Sequence, residues 1–208
     1  LAHHKPKAFL LENVKGLRSH DGGRTLSIIL EVLRNKLGYF VPEPEILNSK
    51  DFGIPQNRER IYIIGFLKKN SFQYPKPTDI ITKVSDILEL GRVPNKYTIS
   101  DRLWASHQAR KERNKANGKG FGYSSKKRTD QYTSTLSARY YKDGAEILIE
   151  KTNKSNPRKL TPDEAKRLQG FPSWFIVNKS DNEAYKQFGN AVSVPVIAAL
   201  AREINKYL

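Results

Sequence analysis

The sequence predicts an α/β fold: part of a sheet with helices packed on it, joined to a smaller, mixed and irregular basic lobe. Three observations carry this. Apolar runs at residues 8–11 and 61–66 read as short buried strands. Between them Leu26, Ile29, Leu30, Leu33 and Leu37 recur at helical spacing. The third is charge. The 208 residues carry a net charge of +16, and residues 67–160 hold 21 Lys and Arg against 9 Asp and Glu, a local excess of +12. So concentrated an excess points to a polyanionic partner more than to general solubility.

Composition removes several chemistries from this chain. There is no Cys, so it offers no disulfide, no Cys-bound zinc and no thiolate nucleophile. No metal-ligand cluster is expected. No apolar run approaches the length of a membrane span, and no charged-then-apolar leader opens the sequence. There is also no Met, and the chain enters almost directly on a strand, which reads as a piece of something longer.

The first strand stops on Glu12, Asn13 and Val14. A buried strand that ends on a carboxylate and then turns can hold an acid rigidly at the rim of a sheet. Most such residues are merely solvated strand-end acids. The helix over 24–37 should close on Gly38 in a left-handed conformation. Residues 39–41 read as a strand that Pro42 and Pro44 confine to an edge. A loop over 51–60 then leads into the apolar strand at 61–66. It carries Arg58 and Arg60, which should point the same way in an extended chain. Two guanidiniums side by side repel unless an anion or carbonyl oxygens lie between them. A surface pair neutralised by Glu59 is the plainer reading.

The middle of the chain runs from residue 73 to 157. Val84, Ile87 and Leu88 allow one short helix, and residues 100–117 a second with Leu103, Trp104 and His107 on one side. Between Arg110 and Arg128 lie eight Lys or Arg and a single acid, Glu112, interleaved with Gly, Phe121 and Tyr123. Such a segment suits phosphate tracking, with Lys119 and Arg128 as candidate contacts, but a solvated flexible loop has the same composition. Residues 133–149 read as a hairpin turning at Asp143 and Gly144. Its first strand offers Thr135, Ser137, Arg139 and Tyr140 to base edges, with Lys142 beside them.

The last segment, 158–208, opens on a helix start at Thr161, Pro162 and Glu164, with a capping box and Pro at the first turn. The aromatic turn at Phe171, Trp174 and Phe175 reads as packing. Gly189 and Asn190 read as a turn before a final helix over 194–206, able to hold a carboxylate or small ligand.

These motifs, in this order, resemble the DNA cytosine-5 methyltransferases, in particular bacterial restriction-modification members. The resemblance rests on Glu12–Val14, Gln56–Arg60, the Leu-Thr-Pro-x-Glu-x-x-Arg-Leu-Gln-Gly-Phe-Pro run at 160–172 and Gly-Asn-Ala-Val-x-x-Pro-Val at 189–196. It implies the second half of a Rossmann-like methyltransferase sheet over 1–72, a DNA target-recognition lobe over 73–157, and a support helix and returning C-terminal helix over 158–208. It implies transfer of a methyl group from S-adenosylmethionine to carbon 5 of a flipped-out cytosine in double-stranded DNA, in the cytoplasm of a bacterium. Glu12 matches the acid that hydrogen-bonds ring nitrogen 3, Arg60 the residue that holds the cytosine carbonyl, and Arg58 its ordering partner. Asn190 and Val192 match positions at the cofactor's methionine end. The family's Gly-rich cofactor loop and its Pro-Cys nucleophile loop precede Glu-Asn-Val. They would therefore come from an N-terminal half in the same longer chain or in a partner subunit, and the chain alone should be inactive. A DNA-binding module that has lost catalysis is the rival reading.

Overall fold

The computed structural model describes residues 1–152 and 155–208. Strand β1 (Ala8–Val14) and strand β2 (Glu45–Asn48) flank strand β3 (Glu59–Phe66), and both run antiparallel to it. The register sets Glu12 opposite Tyr62 and Val14 opposite Arg60. Both faces of this sheet are covered, which is why β3 reads as an unbroken apolar run instead of alternating. On one face Ile63 and Phe9 pack against Leu30 and Leu33 of the first helical stretch. On the other, Tyr62, Ile64 and Phe66 meet Val196, Leu200 and Ile204. Those three belong to helix α6 (Val194–Asn205).

Helix α1 (Arg24–Glu31) continues as a π turn through Lys36, and Gly38 follows with φ 72°, as its spacing and terminal glycine predict. The strand expected at 39–41 is a single bridge, Phe40 to Phe66. The pairing moved to β2, beyond Pro42 and Pro44, because neither proline can donate to a ladder.

A second core lies over the middle and end of the chain. Val84, Ile87, Leu136, Tyr140, Ile147, Leu160 and Leu168 pack there against Tyr185 and Phe188. Helix α2 (Asp101–Ala116) is capped by Ser100 and buries His107. The expected hairpin at 133–149 does not form. Tyr140 to Asp143 make one helical turn, α3, which Gly144 closes at φ 65°. Two-residue strands β4 (Ser125–Lys126) and β5 (Leu148–Ile149) then pair in parallel. A left-handed glycine ends a helical turn as readily as it turns a hairpin, so Asp-Gly did not decide between them.

Helix α4 (Pro162–Leu168) has the reciprocal capping box expected of Thr161 and Glu164. Glu164 is fully buried and also receives both terminal nitrogens of Arg158, at 2.7 and 2.8 Å, and the Glu89 N–H at 2.9 Å. A buried carboxylate needs this many donors to offset its lost hydration. Helix α5 (Asp181–Asn190) starts on the N-cap Ser180 with Glu183 three residues on, a start signal left out of the sequence reading, and Gly189 and Asn190 are its last turn instead of a turn of their own. Phe171 and Phe175 pack on Phe188 as read, with ring centroids 5.5 and 6.2 Å away, whereas Trp174 is 78% exposed. Among the described residues no helix is long and apolar enough to cross a membrane.

Candidate active site

Glu12 and Arg60 meet at the rim of the sheet. Both sit on the face shared with Tyr62, one strand apart, and Arg60 Nε lies 3.1 Å from Glu12 Oε1. Their side chains keep 22% and 15% of their exposure, enough to be reached from outside and too little to be freely solvated. Glu59 is not their counter-charge: it pairs with Lys15, and only its carbonyl accepts from Arg60 Nη1, at 2.8 Å. Tyr62 stands behind the pair, its phenol pushed up to about 12 by burial and then by the Glu12 carboxylate.

Arg58 turns elsewhere. It is almost fully buried, with Nη1 donating to the Leu136 carbonyl at 2.9 Å and Nη2 to those of Ala191 and Gly189 at 2.8 and 3.3 Å. Burial, then the like charge of Arg60, bring it down to about 10, against the pull of Glu12. The repulsion foreseen between the two guanidiniums is thus resolved twice, by an anion at Arg60 and by carbonyl oxygens at Arg58. Glu12 and Arg60 converge, whereas Arg58, expected to point the same way as Arg60, turns aside and clamps the loops around them.

Gln56 continues the clamp, though its role was not read from the sequence. Its amide is fully buried, donating to Leu168 O at 3.0 Å and accepting from Leu136 N at 2.9 Å, beside Gln169, which donates to Phe188 O at 2.7 Å. The backbone at 133–138 is therefore fixed against residues 55–58, which lead into β3, and against Gly189 of α5.

The candidate DNA contacts separate into groups. Ser137, Arg139 and Lys142 line one cleft of about 470 Å³. Thr135 turns its hydroxyl to Asn57 O, at 2.7 Å. Arg128 lines a different cleft, of about 540 Å³, and Lys119 is exposed near the end of α2. Tyr140 is a correction. It is fully buried, donates to Ile147 O at 2.7 Å, accepts from Leu160 N at 2.7 Å and meets no base edge. Burial holds its phenol well above the usual range.

Asn190 and Val192 flank the turn that Arg58 grips. Asn190 is exposed, with no side-chain hydrogen bond among the described residues, and the next hydroxyl, Ser193 Oγ, is buried without a partner there. Among the described residues no group of His, Cys, Asp or Glu is placed to hold a metal ion.

The family model for C-5 cytosine-specific DNA methylases matches residues 1–206. The chain belongs to that family. Among its relatives are the type II methyltransferase M1.ScrFI of Lactococcus lactis subsp. cremoris, 56% identical over 98% of this chain and 53% of its own length, and M.SsoII of Shigella sonnei, 59% identical over 96% and 53%. M.HpaII of Haemophilus parainfluenzae is 46% identical over 97% and 61%. This methylase chain thus spans about half the length of the first two. The S. pombe Dnmt2 methyltransferase structure superposes with a TM-score of 0.77 at 20% identity, covering 98% of this chain and 66% of that one. Entamoeba histolytica EhMeth gives 0.73 at 24%, covering 98% and 64%. At these identities the structures speak for the methylase fold alone.

Proposed function

We propose that this chain is the C-terminal portion of an enzyme that methylates carbon 5 of a cytosine flipped out of a short, specific site in double-stranded DNA. The observation that carries the reading is the Glu12–Arg60 pair, an acid and a guanidinium 3.1 Å apart on adjacent strands and still reachable. A flipped cytosine presents ring nitrogen 3 beside its carbonyl oxygen. With the base bound, a proton shared between the Glu12 carboxyl and that nitrogen makes their hydrogen bond, and Arg60 donates to the oxygen, where negative charge develops once carbon 6 is attacked. Arg58 acts through position, by holding the Leu136 and Gly189–Ala191 backbones around the site.

The rest comes from an N-terminal half. This sequence has no Cys to attack carbon 6. β1 is an edge strand, with Leu11 and Val14 exposed at 38% and 54%, so further strands can add beside it. Whether in the same polypeptide or a partner subunit, that half supplies the thiolate and the Gly-rich loop, without which this chain is inactive. S-adenosylmethionine, when bound, supplies the electrophilic methyl. The free amide of Asn190 and the orphaned Ser193 hydroxyl beside Val192 suit its polar methionine end.

Glu12→Gln in the full-length gene product tests the reading. Methyl transfer to duplex DNA should fall at least about a hundredfold while binding changes less than about twofold. Transfer at the parental rate would remove Glu12 from the mechanism.

A further inference from the structure

The 470 Å³ cleft holds opposite charges that do not pair. Arg139 and Glu146 both line it, together with Phe121, Ser137 and Lys142. Among the described residues the Arg139 guanidinium enters no hydrogen bond or ion pair, and Glu146 meets no cation. Ser137 joins the two instead. Its Oγ donates to Glu146 Oε1 at 2.5 Å and accepts the Arg139 backbone N–H at 3.1 Å. On these two cleft-lining residues, one carboxylate oxygen and the whole guanidinium fork are left without a partner among the described residues. Arg110, on the same cleft, is engaged by contrast. It bonds Asp143 at 3.1 Å, the Gly122 carbonyl at 3.1 Å and His107 at 3.1 Å.

A carboxylate in so basic a segment repels the phosphates that segment attracts. It becomes favourable against duplex DNA only by accepting from an exocyclic amino group, and in the major groove only cytosine N4 and adenine N6 offer one. A free guanidinium is best matched by guanine, whose O6 and N7 accept both prongs of the fork. A single G·C pair shows these two patterns side by side.

We infer that Arg139 and Glu146 together read one G·C base pair from the major groove, Arg139 donating to guanine O6 and N7 and Glu146 accepting from cytosine N4. The inference rests on the proposal that the middle segment faces duplex DNA, and it gives that segment an acceptor, Glu146, among its donors. The read pair also has a fixed offset from the flipped cytosine. Leu136 is bonded to Arg58, and the Ser137–Ala138 backbone packs directly on Gly189. The reader and the Glu12–Arg60 pair therefore belong to one rigid arrangement.

The test is selection of bound duplexes from a random library by the full-length protein, followed by sequencing. It needs no methyl transfer. The parent should require G·C at one position that Arg139→Ala relaxes by about ten- to a hundredfold, leaving the other positions unchanged. Arg139→Lys should keep part of that preference. Glu146→Gln, which retains an acceptor for Ser137 and an unchanged melting temperature, should relax the same position. Lys142→Ala should weaken all duplexes alike. Uniform weakening by Arg139→Ala, relaxation of different base pairs by the two variants, or a parent that selects no sequence would each overturn the inference. A parent that selects a site and forms no 5-methylcytosine there overturns the catalytic reading and leaves this one standing.

Discussion

Arg58 donates to the carbonyl oxygen of Ala191 at 2.8 Å, and this bond ties the entrance of β3 to the turn that opens α6. The same guanidinium reaches Leu136 and Gly189, so segments 78 and 131 residues away in sequence meet on one side chain. Position 58 therefore stabilises and aligns more than it reacts.

Replacing Arg58 with Met leaves three carbonyls in and beside the core without their donor. A loss of about 2–4 kcal/mol is expected in urea unfolding of the full-length protein, since buried orphan acceptors retain their desolvation cost. Arg58→Lys should recover less than half, because one ammonium cannot reproduce the planar fork. A loss below about 0.5 kcal/mol for Met would show that the clamp is dispensable.

Gly189→Ala tests the contact between α5 and the backbone at Ser137 and Ala138. A Cβ there would lie 2.3 Å from the Ser137 carbonyl group and the Ala138 nitrogen, which are backbone atoms that cannot swing aside. Overpacking of this kind costs about 1–3 kcal/mol and displaces the neighbouring chain. Thermal melting should show the loss. Discrimination between duplexes should fall with it, while non-specific binding at low salt is kept. An unshifted melt would mean that α5 yields freely.

What the sequence made legible was local. Thr161 and Glu164 announce α4 because a capping box lies within four residues. Glu12 and Arg60 were picked out as strand-end groups, and the antiparallel register then brought them together. Tyr140 was misread because its burial is set by Leu160, Tyr185 and Ile147, partners that no alternation of polar and apolar residues can announce. Glu146 was passed over for a similar reason. Its meaning comes from Ser137, nine residues back, across a helical turn where the residue pattern predicts a hairpin. Arg58 and Arg60 were expected to point the same way, and their separation onto the Leu136, Gly189 and Ala191 carbonyls and onto Glu12 depends on distant segments that residue spacing does not announce.

The exposed cations of the middle segment include Arg113, Lys115, Lys119, Lys127, Arg128, Arg139 and Lys142. If six or more neutralise phosphates, affinity for non-specific duplex DNA should fall about a thousandfold between about 50 and about 200 mM salt. Removing Lys115 and Lys119 together should lower the salt slope by about two, by fluorescence anisotropy with the full-length protein. A flat salt response would place the DNA contact elsewhere.

His107 gives the fold a pH dependence of its own. It is buried at 1% exposure between α2 and the Asp143 turn. Arg110 can only donate, so Nδ1 accepts from it at 3.1 Å, and Nε2 carries the proton toward Asp143 O at 3.3 Å. Burial lowers the imidazole pKa below 6.5, the adjacent Arg110 charge adds to this, and the Asp143 carbonyl and carboxylate oppose it. The unfolded chain therefore binds this proton first as pH falls. The stability contributed by neutral His107 is complete above about pH 6.5 and is lost as pH drops through the folded-state value. Asp143 is also buried, which raises its pKa, but the Ala145 N–H and Arg110 outweigh that and hold it below 3.8. Its own contribution is lost only in stronger acid. Melting temperature should accordingly fall more between pH 7 and pH 5 for the parent than for His107→Gln, which keeps a donor and an acceptor and does not titrate. Parallel declines for the two proteins would remove His107 as the cause.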